Sequence, residues 1–423
     1  MKRALLMTLL VMLAATAAQA RPQYSAMMGQ SCFLCHTNPT GFGMRELYGS
    51  QFFAPTYLPM KPTHFEVLDK LRPDLSESVT IGADLRTIYL ATNTQDDDYE
   101  GGLSAPLSTN TGTITQMEGY LYLNLRASEQ FSIYYSHGVA SSAGRFEAYG
   151  LMHFPKWKSW TKVGQFQENY GWRFADHTAF TRTGLWTGYS GTPFEGPLPP
   201  HYGVGAELGV RPYGTDFTVS FTNGQSTYPG DFDTRKKWYA RYMLQRRIPK
   251  VGIVGTAGTS YYHSPKLTGN PEFGTFTAGP KENAWGGFGG ISWDGLPGKR
   301  ADAEGFGCLA TTILFEYDRK AWKPYWASAP VTSAYSTTQV DVMVMQGLWL
   351  LAAYDWMNNS ETNNLGGESE RTTVGLRIFP IPSVEFTPKY RLYSSEGMPG
   401  VPPESRGQLR NKQQFELQGH FFF

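Results

Sequence analysis

The sequence is poor in cysteine, poor in charge, and without a long helical period over its last three quarters. Each shortage excludes something. Three cysteines, Cys32, Cys35 and Cys308, in 423 residues do not make the even, dense framework of a disulfide-stapled extracellular protein. Charged residues are 17% of the chain and the formal net charge is +1, which leaves no basic surface for nucleic acid. No hydrolase constellation is visible. In their place stand aromatic residues at 15% and 46 glycines.

The first 20 residues carry an export signal. Lys2 and Arg3 precede an apolar run from Ala4 to Ala15, and the small residues of Ala18-Gln19-Ala20 close it. The mature chain is expected to begin near Arg21. The run is too short for a membrane-spanning helix with these flanks, and no cysteine follows the cut to receive a lipid.

Close behind the signal lies Cys32-Phe33-Leu34-Cys35-His36. Two thiols separated by two residues can reach both vinyl groups of one porphyrin, and the adjacent histidine then falls under the iron as its proximal ligand. A zinc site would want a second ligand pair, and a thioredoxin-like dithiol would want a βαβ setting; the sequence has neither. The expectation is one covalently attached haem c. The distal ligand stays open between Met60, in the proline-flanked Tyr57-Leu58-Pro59-Met60-Lys61-Pro62, and His64, with Met27, Met28 and Met44 as further options. A thioether would raise the reduction potential relative to a second imidazole.

From about residue 77 onward, short segments with alternating faces recur between turn signals. Leu121, Leu123 and Leu125 share one face, as do Phe146, Ala148, Gly150, Met152 and Phe154. Val374, Leu376 and Ile378 alternate with Arg377; Val384, Phe386, Tyr390 and Leu392 alternate with Glu385, Lys389 and Arg391. In a membrane barrel one such face meets lipid and the other lines the lumen. Brief links near 127–130, 155–158, 212–215, 247–250 and 380–382 alternate with long polar stretches, and a turn at Gln346-Gly347 divides the run from Thr337 to Trp356. The count comes to about 16 antiparallel strands with both ends periplasmic. The last strand, with Phe415, Leu417, Gly419, Phe421 and Phe423 on one face, resembles the C-terminal signal of bacterial outer-membrane proteins. Gly286 to Gly290 reads as barrel packing, Asp96 to Glu100 as a solvated outer loop, and Cys308 as a buried residue within a strand.

Gly29-Gln30-Ser31-Cys32 through His36, followed by Met44-Arg45-Glu46-Leu47-Tyr48-Gly49-Ser50-Gln51-Phe52, resembles the front of the porin-cytochrome c fusions of the outer membrane, best known as iron(II) oxidases. Asn38-Pro39-Thr40-Gly41-Phe42-Gly43 looks more like haem proteins of metal-reducing bacteria. Beyond residue 70 the resemblance is architectural. It implies a signal peptide over 1–20, a small α-helical monohaem domain over 21–70 that plugs the lumen, and an outer-membrane barrel over 71–423. It also implies electron exchange between extracellular iron or another metal and a periplasmic c-type cytochrome or other carrier. The rival expectations are a passive porin with a docking or sensing haem domain, and a soluble periplasmic haem oxidoreductase.

Overall fold

The computed structural model describes residues 22–60, 72–94, 109–139, 146–172, 202–223, 236–270, 275–296, 307–322, 331–359, 367–396 and 412–423. The expected signal peptide, His64 and the acidic loop Asp96 to Glu100 lie outside these residues.

Sixteen antiparallel strands close into one barrel. They are β1 (Val79–Thr94), β2 (Thr109–Arg126), β3 (Phe131–Gly138), β4 (Phe146–Phe154), β5 (Ser159–Gln167) and β6 (Tyr202–Val210). Next come β7 (Thr215–Thr222), β8 (Lys237–Ile248), β9 (Ile253–Asn270), β10 (Thr275–Trp293) and β11 (Thr311–Trp322). The last five are β12 (Val331–Met345), β13 (Leu348–Asn359), β14 (Gly367–Ile381), β15 (Val384–Glu396) and β16 (Lys412–Phe422). Each pairs with its chain neighbour, and β1 pairs with β16 from Asp84↔Phe422 to Thr94↔Lys412, so no edge is left to aggregate.

The period of two sorts the side chains. In β3, Ser132, Tyr134 and Ser136 point inward and are buried, while Ile133 and Tyr135 face out. Leu121, Val163, Leu208 and Ile291 are each more than half exposed on the outer face. Such a belt is stable against lipid and costly against water. Among the described residues no helix is long and apolar enough to cross a membrane. The soluble alternative is thereby corrected, since a closed barrel with an apolar outer face buries its polar side chains inside.

Three of the brief links share one device. Pro155–Trp157, Pro212–Gly214 and Pro249–Val251 are single 3-10 turns that open on proline, whose missing N–H no ladder partner requires there. Gly252 ends the third at φ 62°, in the left-handed region that glycine enters freely. The expected turn at Gln346-Gly347 lies between β12 and β13, with Gly347 at φ 82°.

One expectation needs correction. Cys308 is not a buried strand residue: it is exposed, lies in the link between β10 and β11, forms an isolated bridge to Leu296 of that link, and touches the wall through an Sγ contact of 3.0 Å to the Val344 carbonyl. That same link, on the side of the brief turns, is a long one, running from Asp294 to Ala310. Asp294, at its start, pairs with Arg247 beside the β8–β9 turn.

Residues 22–60 contain little regular structure: α1 (Pro22–Met28), a π-helical turn Tyr48–Phe53 and the short α2 (Ala54–Tyr57). They pack on the inward face of the wall at the end that carries the brief turns. Met27, Phe53, Ala54 and Leu58 form one apolar cluster with Met343, Trp349, Phe379 and Phe422 of β12, β13, β14 and β16. Phe42 and Met44 form another with Tyr120, Tyr122, Tyr134 and Trp160. Burying each such side chain contributes about 1.5–3 kcal/mol. A second internal element follows β5, where Asn169, Tyr170, Gly171 and Trp172 turn into the lumen. Gly171 N donates to Ser260 Oγ at 2.9 Å, Trp172 N to Glu316 Oε1 at 3.2 Å, and Tyr170 Oη to Asp318 Oδ1 at 3.1 Å. This stretch therefore crosses from β5 to the wall of β9 and β11.

Candidate functional site

The Cys32-to-His36 stretch begins as a single 3-10 turn, Cys32–Leu34, with the Cys35 and His36 N–H groups both donating to the Cys32 carbonyl at 3.1 and 3.0 Å. This curl brings the two cysteines and the histidine to one side. The strand-like return of residues 43–46 holds it. Thr37 N donates to Met44 O at 3.1 Å, Glu46 N to Cys35 O at 2.9 Å, and His36 pairs with Arg45 in an isolated bridge.

The return depends on the Asn38-to-Gly43 turn. The Asn38 side chain accepts from Thr40 N at 3.2 Å and Thr40 Oγ1 at 3.0 Å, and Gly41 N donates to the Asn38 carbonyl at 2.9 Å. Gly41, Phe42 and Gly43 then sit at φ 90°, 72° and 73° in succession. At Gly41 a Cβ would lie 2.8 Å from the Cys32 Cβ, so this position needs glycine for space as well as for backbone freedom. The outcome is chemical: His36 Nδ1 stands 3.2 Å from the Gly43 carbonyl. An Nδ1–H donated there fixes the tautomer and leaves Nε2 free to ligate a metal.

The wall seats the turn. Tyr134 Oη accepts from Met44 N at 3.3 Å, Lys162 Nζ donates to Thr40 Oγ1 at 3.2 Å, and Arg211 donates to the Pro39 carbonyl. Lys162 is fully buried and pairs with Glu207 at 2.7 Å. Phe33 lies on His153 with ring centroids 5.0 Å apart and under the Arg211 guanidinium at 5.2 Å.

Cys32, Cys35 and His36 line one partly open cavity at the inner end of the wall. Its other walls come from Tyr24, Ser25 and Met28 of α1, from Phe53, Ala54 and Leu58, and from Phe379, His420 and Phe422 of the barrel. The lining is mostly apolar, with few cationic or imidazole groups. Burial and the nearby Arg45 charge hold the His36 pKa down to about 3, so its imidazole is neutral near pH 7, the form that binds metal. Burial also pushes the Cys35 thiol up to about 12 and raises that of Cys32. Arg45 caps one side, its guanidinium 4.0 Å above the Phe422 ring and 3.9 Å from Asp84. His420 stands between Glu385 at 2.7 Å and Asp84 at 3.4 Å.

Of the sequence-expected site residues, Cys32, Cys35 and His36 come together on this cavity. Met60 stands beside it: its N–H donates to the Phe379 carbonyl at 2.9 Å, and it packs on the Gly347 turn. Asn38, Gly41 and Gly43 were not singled out by sequence as site residues, although a proline-glycine run directly after a haem-type motif marks a tight return. His420, Glu385 and Asp84 were beyond reach, since only barrel closure brings β1, β15 and β16 together.

A closed 16-stranded antiparallel barrel with an apolar outer belt and buried charges inside defines an outer-membrane-type β-barrel of porin architecture. No family model matches the chain, and no curated protein sequence does. Solved structures do match in fold. OprB of Pseudomonas putida is 10% identical, with a TM-score of 0.55 over 87% of this chain and 99% of that one. An anion-selective porin from Comamonas acidovorans is 8% identical, with a TM-score of 0.52 over 82% and 99%. OmpT of Vibrio cholerae is 10% identical, with a TM-score of 0.50 over 83% and 100%.

Proposed function

We propose that this chain transfers single electrons across the bacterial outer membrane through one covalently bound haem c, held within the barrel at its periplasmic end. The observation that carries this reading is the His36 Nδ1 to Gly43 carbonyl contact, which prepares Nε2 for iron beside two free thiols on one cavity. Cys32 and Cys35 would anchor the porphyrin through thioethers and His36 would ligate the iron. The donor set suits the group, since two thiols and a neutral imidazole face a largely apolar space.

The bound haem would supply reversible one-electron exchange near an outer-sphere contact. The rest is done by the chain. The Gly43 carbonyl orients the ligating ring, Phe53, Leu58, Phe379 and Phe422 exclude water, and the wall seats the loop between two aqueous sides separated by ~30 Å of hydrocarbon. A haem in the lumen shortens that gap, whereas one hanging in the periplasm would leave it whole. The partners are an extracellular iron or other metal species and a periplasmic c-type cytochrome or other carrier, with the direction set by the potential.

The test is haem staining of the denatured chain, followed by a spectroelectrochemical titration of the detergent-purified protein and metal-driven haem reduction or oxidation in intact cells. A covalent stain that Cys32→Ala and Cys35→Ala together remove, with haem responding to external metal, is expected. No stain in the unaltered chain overturns the reading. The passive-channel reading draws on the fold of the structures named above, two of them known as a porin and an outer-membrane protein. It predicts solute conductance and no haem response to extracellular metal.

A further inference from the structure

We propose that Met28 is the sixth ligand of the haem iron, opposite His36; this rests on the haem-binding reading above. Apart from Cys32, Cys35 and His36, the described cavity-lining side chains with a customary iron donor atom are Met28, His420 and Tyr24. His420 is held with Nδ1 2.7 Å from Glu385 and Nε2 3.4 Å from Asp84, and ligation would pull it out of the contacts that join β16 to β15 and β1. Tyr24 is held edge-on to Phe53 with centroids 5.7 Å apart. Met28 has three rotatable torsions and a soft thioether, so it can reach a metal without moving its helix.

The geometry of α1 separates two adjacent methionines. At about 100° per residue, Tyr24, Ser25 and Met28 face the cavity while Ala26 and Met27 face the wall. Met27 is 2% exposed beside Met343 and Trp349, and Met44 is 1% exposed among Phe42, Tyr122 and Tyr134. Met60 packs on the Gly347 turn, behind Phe379. Of these four methionines in residues 22–60, Met28 alone lines the cavity.

Met28 is also fixed relative to the anchoring cysteines. Ser25 Oγ donates to the Gln30 carbonyl at 2.7 Å and Gln30 N donates to the Ser25 carbonyl at 3.3 Å, which closes a loop around Met28. Gly29, at φ 63°, turns the chain so closely on the wall that a Cβ there would lie 3.3 Å from Val254. Gln245 Nε2 and Arg247 Nη1 donate to the carbonyls of Ser25 and Met27 at 3.0 and 3.4 Å, so β8 grips the helix end. Cys32 follows four residues later.

The test uses the full haem-bearing chain in detergent, with four variants: M28L, M28H, M60L and H64Q. The oxidised unaltered protein is expected to show the near-infrared methionine-to-iron charge-transfer band. M60L and H64Q keep that band. M28L loses it while retaining covalent haem stain and heat-modifiable mobility of the folded barrel, and its midpoint potential falls. M28H gives a bis-imidazole low-spin spectrum and a lower potential still, and it carries the test if M28L does not fold. A band that survives in M28L or disappears in M60L overturns the proposal, as does an unaltered protein that carries haem without the band. An unaltered protein without haem stain overturns the haem reading as well, and the stain tells the two failures apart.

Discussion

The lumen wall has two chemistries, and the boundary between them falls within two residues on each of three strands. Along the inward face of β14 the chain passes from Arg377 to Phe379, along β12 from Asp341 to Met343, and along β16 from His420 to Phe422. Toward the long loops the face carries paired charges, such as Arg371 with Asp355 at 2.8 Å and Arg377 with Glu385 at 3.2 Å. Toward the brief turns these three strands are apolar and covered by residues 22–60. An empty water-filled pore would favour polar side chains along its whole length. The apolar collar marks where the wall expects protein.

The sharpest way to break this comparison is to remove residues 22–60. The wall closes through its own ladder, so the truncated barrel is expected to fold and shift on heating in SDS gels, to lose all haem, and to conduct like a wide barrel in planar bilayers. If the full chain already conducts as well, the internal segment does not close the lumen. Next in size is Phe379→Ala together with Phe422→Ala, each costing about 3–5 kcal/mol of docking, read as protease cleavage within residues 22–60 while the wall stays resistant.

On the opposite face, Leu121→Arg places a charge against lipid and is expected to cost about 2–4 kcal/mol in a urea unfolding titration if the residue lies near the midplane, with haem content unchanged. Gly43→Ala tests the return turn. Its φ of 73° and the Tyr134 hydroxyl beside it penalise a methyl by about 1–3 kcal/mol, and displacement of the carbonyl that accepts from His36 is expected to shift the midpoint potential while covalent haem persists. The smallest effect is expected from Tyr120→Phe, which removes the 3.2 Å contact to Tyr202 Oη and costs about 0.5–1.5 kcal/mol of barrel stability.

Much of the barrel was legible because a strand against lipid must alternate, and that alternation survives in sequence. Leu121 and Leu125 outward, Arg377 and Glu385 inward, and the turn at Gln346-Gly347 all follow from a period of two and a turn glycine. Cys308 was misread because a small residue just ahead of a strand looks like part of it until its partner is known, and its partner is Leu296 in an isolated bridge. The role of Phe379 and Phe422 was not legible at all, because an inward phenylalanine near a strand end shows its purpose only once residues 22–60 are seen to cover it.

The grouping of the proposed haem-binding residues was legible in sequence alone, because Cys32, Cys35 and His36 are neighbours in the chain and their spacing is set by bond lengths. So was the outward face of the wall, because lipid imposes one requirement on every strand. The surroundings of the anchor were decided by tertiary structure. Gly43 lies seven residues from His36, Phe422 lies far along the chain, and His420 meets Asp84 only when the last strand closes on the first. Local chemistry is written in adjacent letters. A cavity is written in the register of a closed sheet, which sets in one step which distant side chains face inward together.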